Sequence, residues 1–139
     1  MRVKEVMTEH PVCCLPAAPL TRVAKLMVEN ACGAIPVVSS LGERTPVGMI
    51  TDRDIAVRTV AQGRNPLEMI AGDILSAPIA AVDEDATLQE CAELMQRHKV
   101  RRMVVLDARG WVSGIVTRSQ IARHPPQGHR RTSKGGNGA

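Results

Sequence analysis

Apolar positions follow a helical period in two segments of the chain that lie 68 residues apart. In each segment the apolar residues are three or four positions apart, which predicts a helix with one buried face. We expect Gly33 to end the first helix and Asp85 to cap the second. The apolar positions are Leu20, Val23, Ala24, Met27 and Ala31 in the first helix, and Leu88, Cys91, Ala92 and Met95 in the second.

Two short aliphatic runs joined by a polar turn follow each helix, which predicts a β-hairpin. The four runs are 35–38 and 46–50, then 102–106 and 111–116. The sequence GMITDRDI (48–55) recurs as GIVTRSQI (114–121), and we expect a further helix to start at Asp52 and at Arg118. With a strand before the first helix, each copy predicts the order strand–helix–strand–strand–helix.

An internal repeat of this kind predicts two halves that share one structure. About 60 residues are marginal as an independent domain, so we expect a mixed α/β (α+β) fold in which the halves pack sheet to sheet about a pseudo-twofold axis. We place the first repeat at 1–66, the second at 67–123 and a flexible basic tail at 124–139. Four of the 18 basic residues and none of the 14 acidic residues lie after residue 122, so the net charge of +4 belongs to the segment from Arg123 onward.

Composition excludes several classes of function. The chain has one Trp and no Phe or Tyr, so it lacks the stacked aromatic side chains of a single-strand nucleic-acid groove. It has no phosphate-binding glycine loop and no nucleophile elbow, and we therefore predict that it is not an enzyme. No apolar run approaches the roughly 20 residues of a membrane span, and the charged N-terminal segment does not resemble a signal peptide. We expect a cytoplasmic protein with no membrane or nucleic-acid partner.

Candidate chemistry concentrates where the first repeated motif turns from strand to helix. A Thr51 hydroxyl at a helix start can cap the helix or bind a ligand, and the guanidinium of Arg53 matches phosphate oxygens. The carboxylate of Asp54 can accept hydrogen bonds from both hydroxyls of a ribose. The alternative is structural, because Thr and Asp are ordinary capping residues. The residues alone leave both interpretations open.

The four cysteines favour packing over chemistry. Cys32 and Cys91 align with valines of the other copy, which predicts that both lie in the core. A metal site built from His10 with Cys13 or Cys14 has none of the usual ligand spacings, and we predict no metal and no cofactor. A thiol-responsive or metal-responsive sensor that uses these cysteines remains an alternative.

Each copy of the duplicated unit closes with glycine, two apolar residues and threonine, and the first copy adds Asp54 three residues later. This unit resembles the CBS domain (cystathionine β-synthase motif). The resemblance covers roughly residues 3–123, and the pair resembles a Bateman module. It implies two clefts that bind adenosine-containing ligands such as AMP, ADP, ATP or S-adenosylmethionine. It also implies a regulatory sensor that forms a homodimer through helix faces and acts on a downstream protein. A protein-interaction module without a ligand is a further alternative.

Carried over by position, the resemblance places Asp54 on the ribose, and Thr51 and Arg53 on the phosphate side. It also implies a set of residues that flank the base, in the first strand of the hairpin and in the strand before the first helix. The residues expected beside the base are Val12, Cys13, Ala34, Ile35 and Pro36.

The second copy keeps part of this pattern. Thr117 is present and Arg118 follows it, but Gln120 replaces the ribose carboxylate, so we expect that cleft to be weak, empty or retuned. Arg101 and Arg102 resemble the family's phosphate-contacting segment. We expect one of them to reach the phosphates of a ligand bound at Asp54 in the other half. The alternative is a solvated helix end, where basic side chains complement the helix dipole.

Overall fold

The computed structural model describes residues 1–124, which form two α/β halves and confirm the predicted fold class. Most of the predicted basic tail, residues 125–139, lies outside this part of the chain. The elements in chain order are β1 (Thr8–Glu9), α1 (Leu20–Glu29), β2 (Ala34–Val38), β3 (Pro46–Thr51), α2 (Asp52–Arg58), β4 (Ala81–Asp83), α3 (Leu88–His98), β5 (Arg102–Leu106), β6 (Val112–Thr117) and α4 (Arg118–Ala122). Short 3₁₀ turns lie at Val3–Glu5, Val60–Gln62, Pro66–Glu68 and Ala71–Asp73.

The strands form one sheet in each half. In the first half β2 and β3 are antiparallel, and in the second the order is β1-β6-β5-β4, with β4 parallel to β5. The counterpart of β4 in the first half is a single parallel bridge between Cys14 and Val37. The strand predicted before the first helix is therefore reduced to one bridge.

The first segment of each repeat crosses to the other half. Strand β1 pairs with β6 of the second half, and Ser76 forms a bridge with Met49 of the first half. The same exchange occurs in the cores, since Val3 packs in the second core and Ile74 packs in the first. The two packing units consequently do not coincide with the two sequence repeats.

The glycine that opens each copy of the repeated motif allows this crossing. A Cβ atom at Gly48 would lie 2.9 Å from the carbonyl oxygen of Ser76, and one at Gly114 would lie 2.9 Å from the carbonyl oxygen of Thr8. Both distances are shorter than a Cβ atom tolerates, and each oxygen belongs to backbone. The repeated glycine is thus a requirement of close packing between a hairpin and the crossing segment.

Helices α1 and α3 bury equivalent faces, as the apolar spacing predicts. The buried residues are Leu20, Val23 and Met27 in α1, and Leu88, Cys91 and Met95 in α3. The prediction was wrong for Ala24 and Ala92, which are exposed because they lie beyond the edge of the buried stripe. It was also wrong for Ala31, which is exposed and lies past the last residue of α1.

The predicted ends of these helices need correction. Helix α1 ends at Glu29, and the left-handed residue after it is Ala31, with φ of 49°, so Gly33 is not its stop. Helix α3 is capped by Thr87 and not by Asp85, because the hydroxyl of Thr87 accepts a hydrogen bond from the backbone N–H of Glu90 at 3.1 Å. The predicted starts of α2 and α4 are confirmed.

The interior is aliphatic and joins the halves through their sheets. Each half has its own cluster of buried side chains, and a third cluster lies between them. The third cluster consists of the buried residues Val38, Val104 and Val112 with partly buried neighbours. In the described residues no helix is long and apolar enough to cross a membrane.

Candidate functional site

A cavity of about 880 Å³ lies between the two halves. The first half contributes Met49 and residues 51–54, and the second contributes Ser76, residues 78–80 and residues 98–102. Small-molecule sites in proteins typically enclose about 300–1,000 Å³. The cavity is therefore large enough for a ligand of nucleotide size.

The first wall of the cavity is the turn from β3 into α2. The Thr51 hydroxyl accepts from the backbone N–H of Asp54 at 3.0 Å, and the Asp54 carboxylate accepts from the backbone N–H of Thr51 at 3.0 Å. The capping interpretation of these residues is therefore correct. The other carboxylate oxygen of Asp54 lies 3.8 Å from Nε of Arg58. A carboxylate has about four lone-pair sites, so the cap leaves Asp54 able to accept from a ligand.

The opposite wall is the connection from α3 to β5. Lys99 adopts the left-handed conformation (φ 57°) that ends α3, and the chain then turns into β5 at Arg102. The carbonyl oxygen of Arg101 accepts from the backbone N–H of Arg118 at 2.8 Å, which fixes the turn. This wall presents His98, Lys99, Arg101 and Arg102 to the cavity. The formal positive charge of this wall comes from the side chains of Lys99, Arg101 and Arg102.

Five of the residues that the sequence singled out meet at this cavity. Thr51, Arg53 and Asp54 come from the first half, and Arg101 and Arg102 come from the second. The remaining seven are not among the lining residues. These are Val12, Cys13, Ala34, Ile35, Pro36, Thr117 and Arg118. The binding roles assigned to all twelve remain predictions.

The crossing of the leading segments explains this division. The repeat relates residues 10–12 to 78–80 and residues 30–34 to 98–102, so the cavity at Asp54 uses the second-half copies of both. The first-half copies lie elsewhere: β2 is buried along its length, and Val12 packs against the first core. Cys13 is half-buried, with Sγ 3.2 Å from Nη2 of Arg44.

In the second copy, the residue that replaces the carboxylate is bonded within the protein. The side-chain oxygen of Gln120 accepts from the backbone N–H of Thr117 at 2.8 Å, and its amide donates to the hydroxyl of Thr8 at 3.0 Å. Thr8 belongs to the crossing strand β1, so the amide ties that strand to the start of α4. Thr117 and Arg118 consequently serve as the cap and first residue of α4.

Sequence reasoning missed the apolar part of the cavity. Residues 78–80 and Val100 have no distinctive polar pattern, and only their place in the repeat could have identified them. The polar residues Ser76 and Lys99 were missed as well. The resemblance placed the residues beside the base in the same half as Asp54. Had they been sought in the other half, as Arg101 and Arg102 were, the repeat offset of 68 would have led to the neighbourhood of residues 78–80 and Val100.

All four cysteines lie in the part of the chain that the structure describes, and none forms a disulfide there. Residues 1–124 contain no group of three or more His, Cys, Asp or Glu side chains that could hold a metal ion. Cys14 and Cys91 are buried, and burial raises the pKa of each thiol to about 11, with Cys13 contributing at Cys14. Such thiols are poor nucleophiles at neutral pH, because the thiolate is the reactive form.

The fold and the cavity define a duplicated α/β module with a cleft between its halves. A family model described as "CBS domain" matches residues 3–59 and again residues 71–126. The chain therefore belongs to the CBS domain family and carries a pair of these domains. CBS pairs are generally regulatory, non-catalytic modules.

Similarity to other proteins extends over most of the chain. It is 36% identical over 124 residues to an uncharacterized protein of Methanopyrus kandleri, a match that covers 89% of this chain and 62% of that protein. It is also 36% identical over 124 residues to Hypoxic response protein 1 of Mycobacterium tuberculosis, with 89% and 85% covered.

Two solved structures show the same fold with different ligands. The crystal structure of Hypoxic Response Protein I with two coordinated zinc ions is 32% identical, with a TM-score of 0.78, and the match covers 91% of this chain and all of that chain. CBSX2 of Arabidopsis thaliana in complex with AMP is 25% identical, with a TM-score of 0.70, and 88% and 93% are covered.

Proposed function

We propose that the chain is a regulatory sensor that binds an adenosine-containing ligand in the cavity between its halves. One observation carries the proposal. A carboxylate at the start of α2 in the first half and a cationic wall from the second half face the same cavity. The AMP complex of CBSX2 supports it, since that protein is a CBS pair with the same fold.

The lining suggests how each part of such a ligand would be held. Asp54 would accept hydrogen bonds from the ribose hydroxyls, with the charge assistance that an amide lacks. Thr51 and Arg53 would contact the phosphate side. Residues 78–80 and Val100 would enclose the base with aliphatic groups and backbone. Aliphatic enclosure suits a chain that has neither Phe nor Tyr.

A ligand in this position would contact both halves at once. It would therefore favour the arrangement in which the two walls are correctly spaced, and a ligand shifts an equilibrium by its differential affinity for the two states. We propose that this shift is the signal passed to a downstream protein. A homodimer formed through helix faces would carry the change to a second chain.

Thermal unfolding, followed through the fluorescence of the single tryptophan Trp111, tests the proposal. AMP, ADP, ATP and S-adenosylmethionine are added separately, together with zinc as a further condition. A ligand at 100 times its dissociation constant stabilises by about 2.7 kcal/mol, which raises Tm by several degrees. We expect a rise with at least one adenosine compound.

A matched pair of variants locates the effect. Asp54→Asn keeps an oxygen for the backbone N–H of Thr51 but loses the charge, and it should abolish the rise in Tm. Asp73→Asn makes the same change at a capping aspartate outside the cavity, whose carboxylate accepts from the N–H of Ile70 at 3.0 Å, and it should leave the rise intact. No rise with any adenosine compound would favour the protein-interaction module. A zinc response indifferent to Asp54 would favour the metal-responsive sensor.

A further inference from the structure

The two copies of one segment differ sharply in charge although their backbones match. Residues 98–102 read HKVRR, whereas the equivalent residues 30–34 read NACGA. Both segments end a helix through a left-handed residue, Lys99 with φ of 57° and Ala31 with φ of 49°. The turn therefore forms without the cations, so the three positive charges at 98–102 are not explained by the fold.

The cations of this wall have no carboxylate partner within residues 1–124. No ion pair there involves Arg53, Lys99, Arg101 or Arg102. The lining also holds two acidic side chains, against its four cationic ones. Asp52 accepts from the backbone N–H of Arg53 at 2.8 Å, and Asp54 accepts from that of Thr51 and lies near Arg58. Like charges gathered without partners repel one another, and an anionic ligand relieves that repulsion.

Ligand charge then separates the candidate compounds. A monophosphate carries roughly −1.5 to −2 charge near pH 7, and each added phosphoryl group brings further negative charge and acceptor oxygens. Guanidinium groups match phosphate oxygens two at a time, and two residues that carry them, Arg101 and Arg102, line the cavity. S-adenosylmethionine carries a sulfonium and an ammonium cation against a single carboxylate, so its net charge is positive and the cationic wall favours it least.

We propose that the cavity at Asp54 selects adenosine polyphosphates over AMP and S-adenosylmethionine, and that Lys99, Arg101 and Arg102 hold the phosphates beyond the first. This inference rests on the proposed function and adds a specificity to the same site. The neutral segment at 30–34 gives the other copy no equivalent wall, so each chain has one polyphosphate site.

Calorimetric titration of the full chain with adenosine, AMP, ADP, ATP and S-adenosylmethionine, without magnesium, tests the specificity. We expect ATP to bind at least about tenfold more tightly than AMP, which is about 1.4 kcal/mol. The expected stoichiometry is one ATP per chain, and S-adenosylmethionine should bind more weakly than AMP.

Variants assign the effect to the wall. Arg101→Gln and Arg102→Gln should each weaken ATP about tenfold and adenosine by less than about twofold. Arg97→Gln, an exposed change on α3 outside the cavity lining, should alter neither. Equal affinities for AMP and ATP, or an ATP preference that survives both cavity variants, would overturn the specificity and leave the adenosine site standing. No binding of any of the five compounds would overturn the adenosine site itself.

Discussion

Alanine at the two repeated glycines tests how the crossing segments build the cavity. A Cβ atom at Gly48 would lie 2.7 Å from Cδ1 of Leu75 and 2.9 Å from the carbonyl oxygen of Ser76. At Gly114 the corresponding neighbours are the side chain of Met7 and the carbonyl oxygen of Thr8, the latter also at 2.9 Å. Each substitution therefore forces a crossing segment away from the hairpin that it covers.

The cost combines two opposing contributions. Overpacking of a well-packed site costs about 1–3 kcal/mol, while replacing glycine stabilises by up to about 1 kcal/mol through the unfolded chain. We expect Gly48→Ala and Gly114→Ala each to lower the free energy of unfolding by roughly 0.5–2 kcal/mol, which lowers Tm by roughly 2–8 °C in a chain of this length. Gly42→Ala is the control, because a Cβ atom there has nothing within 4 Å.

The two variants should differ in ligand response although they resemble each other in stability. Gly48→Ala displaces Ser76, which lines the cavity, whereas Gly114→Ala displaces Thr8, which is bonded to Gln120 on the other side. Thermal unfolding with and without ATP should therefore show a reduced rise in Tm for Gly48→Ala and a normal rise for Gly114→Ala. An equal ATP response in both, or a Gly48→Ala variant as stable as Gly42→Ala, would refute this reasoning.

Three further predictions concern stability alone. The Lys4–Asp85 ion pair at 2.8 Å, mainly through its hydrogen bond, lowers the pKa of Asp85 and raises that of Lys4. In urea unfolding, the stability gap between wild type and Lys4→Gln should be present at pH 7 and shrink as the pH falls below the unfolded carboxyl pKa of about 3.9 and on through the lowered pKa of the folded protein. A gap that is unchanged between about pH 7 and about pH 2 would contradict this. Cys91→Val installs the residue of the first copy and should change the free energy of unfolding by less than about 1.5 kcal/mol. Cys91→Ser buries a hydroxyl and should cost about 1–3 kcal/mol. A larger cost for valine than for serine would be inconsistent with core packing of Cys91. Ile50→Ala, at a fully buried position of β3, should cost about 2–5 kcal/mol in the same assay, and a cost below 1 kcal/mol would mean that the first core is not packed as described.

The repeat made most of the secondary structure predictable. Helical spacing located α1 and α3, and the aliphatic runs located four of the strands within about one residue. The Thr87 cap was also visible in the sequence, since threonine followed three residues later by Glu90 is a capping box. Asp85 is also a common capping residue type, but the helical spacing begins at Leu88, which puts the cap position at Thr87.

The crossing of the leading segments could not be predicted in the same way. Strand β1 has only two residues, both exposed, so it leaves no alternation of apolar and polar positions. The one signal was the repeated glycine, which by itself indicates close backbone approach without naming the partner. Because the crossing decides which residues face Asp54, the polar corner of the site was predictable and its apolar wall was not.

Hydrogen exchange measured with and without saturating adenine nucleotide tests the central claim most directly. The nucleotide used is the one that raises Tm most. We expect slower exchange in the segments 51–54, 76–80 and 98–102, which supply every residue of the cavity lining except Met49. Slower exchange confined to residues 8–13 and 117–120, or no change anywhere in the folded part of the chain, would contradict it.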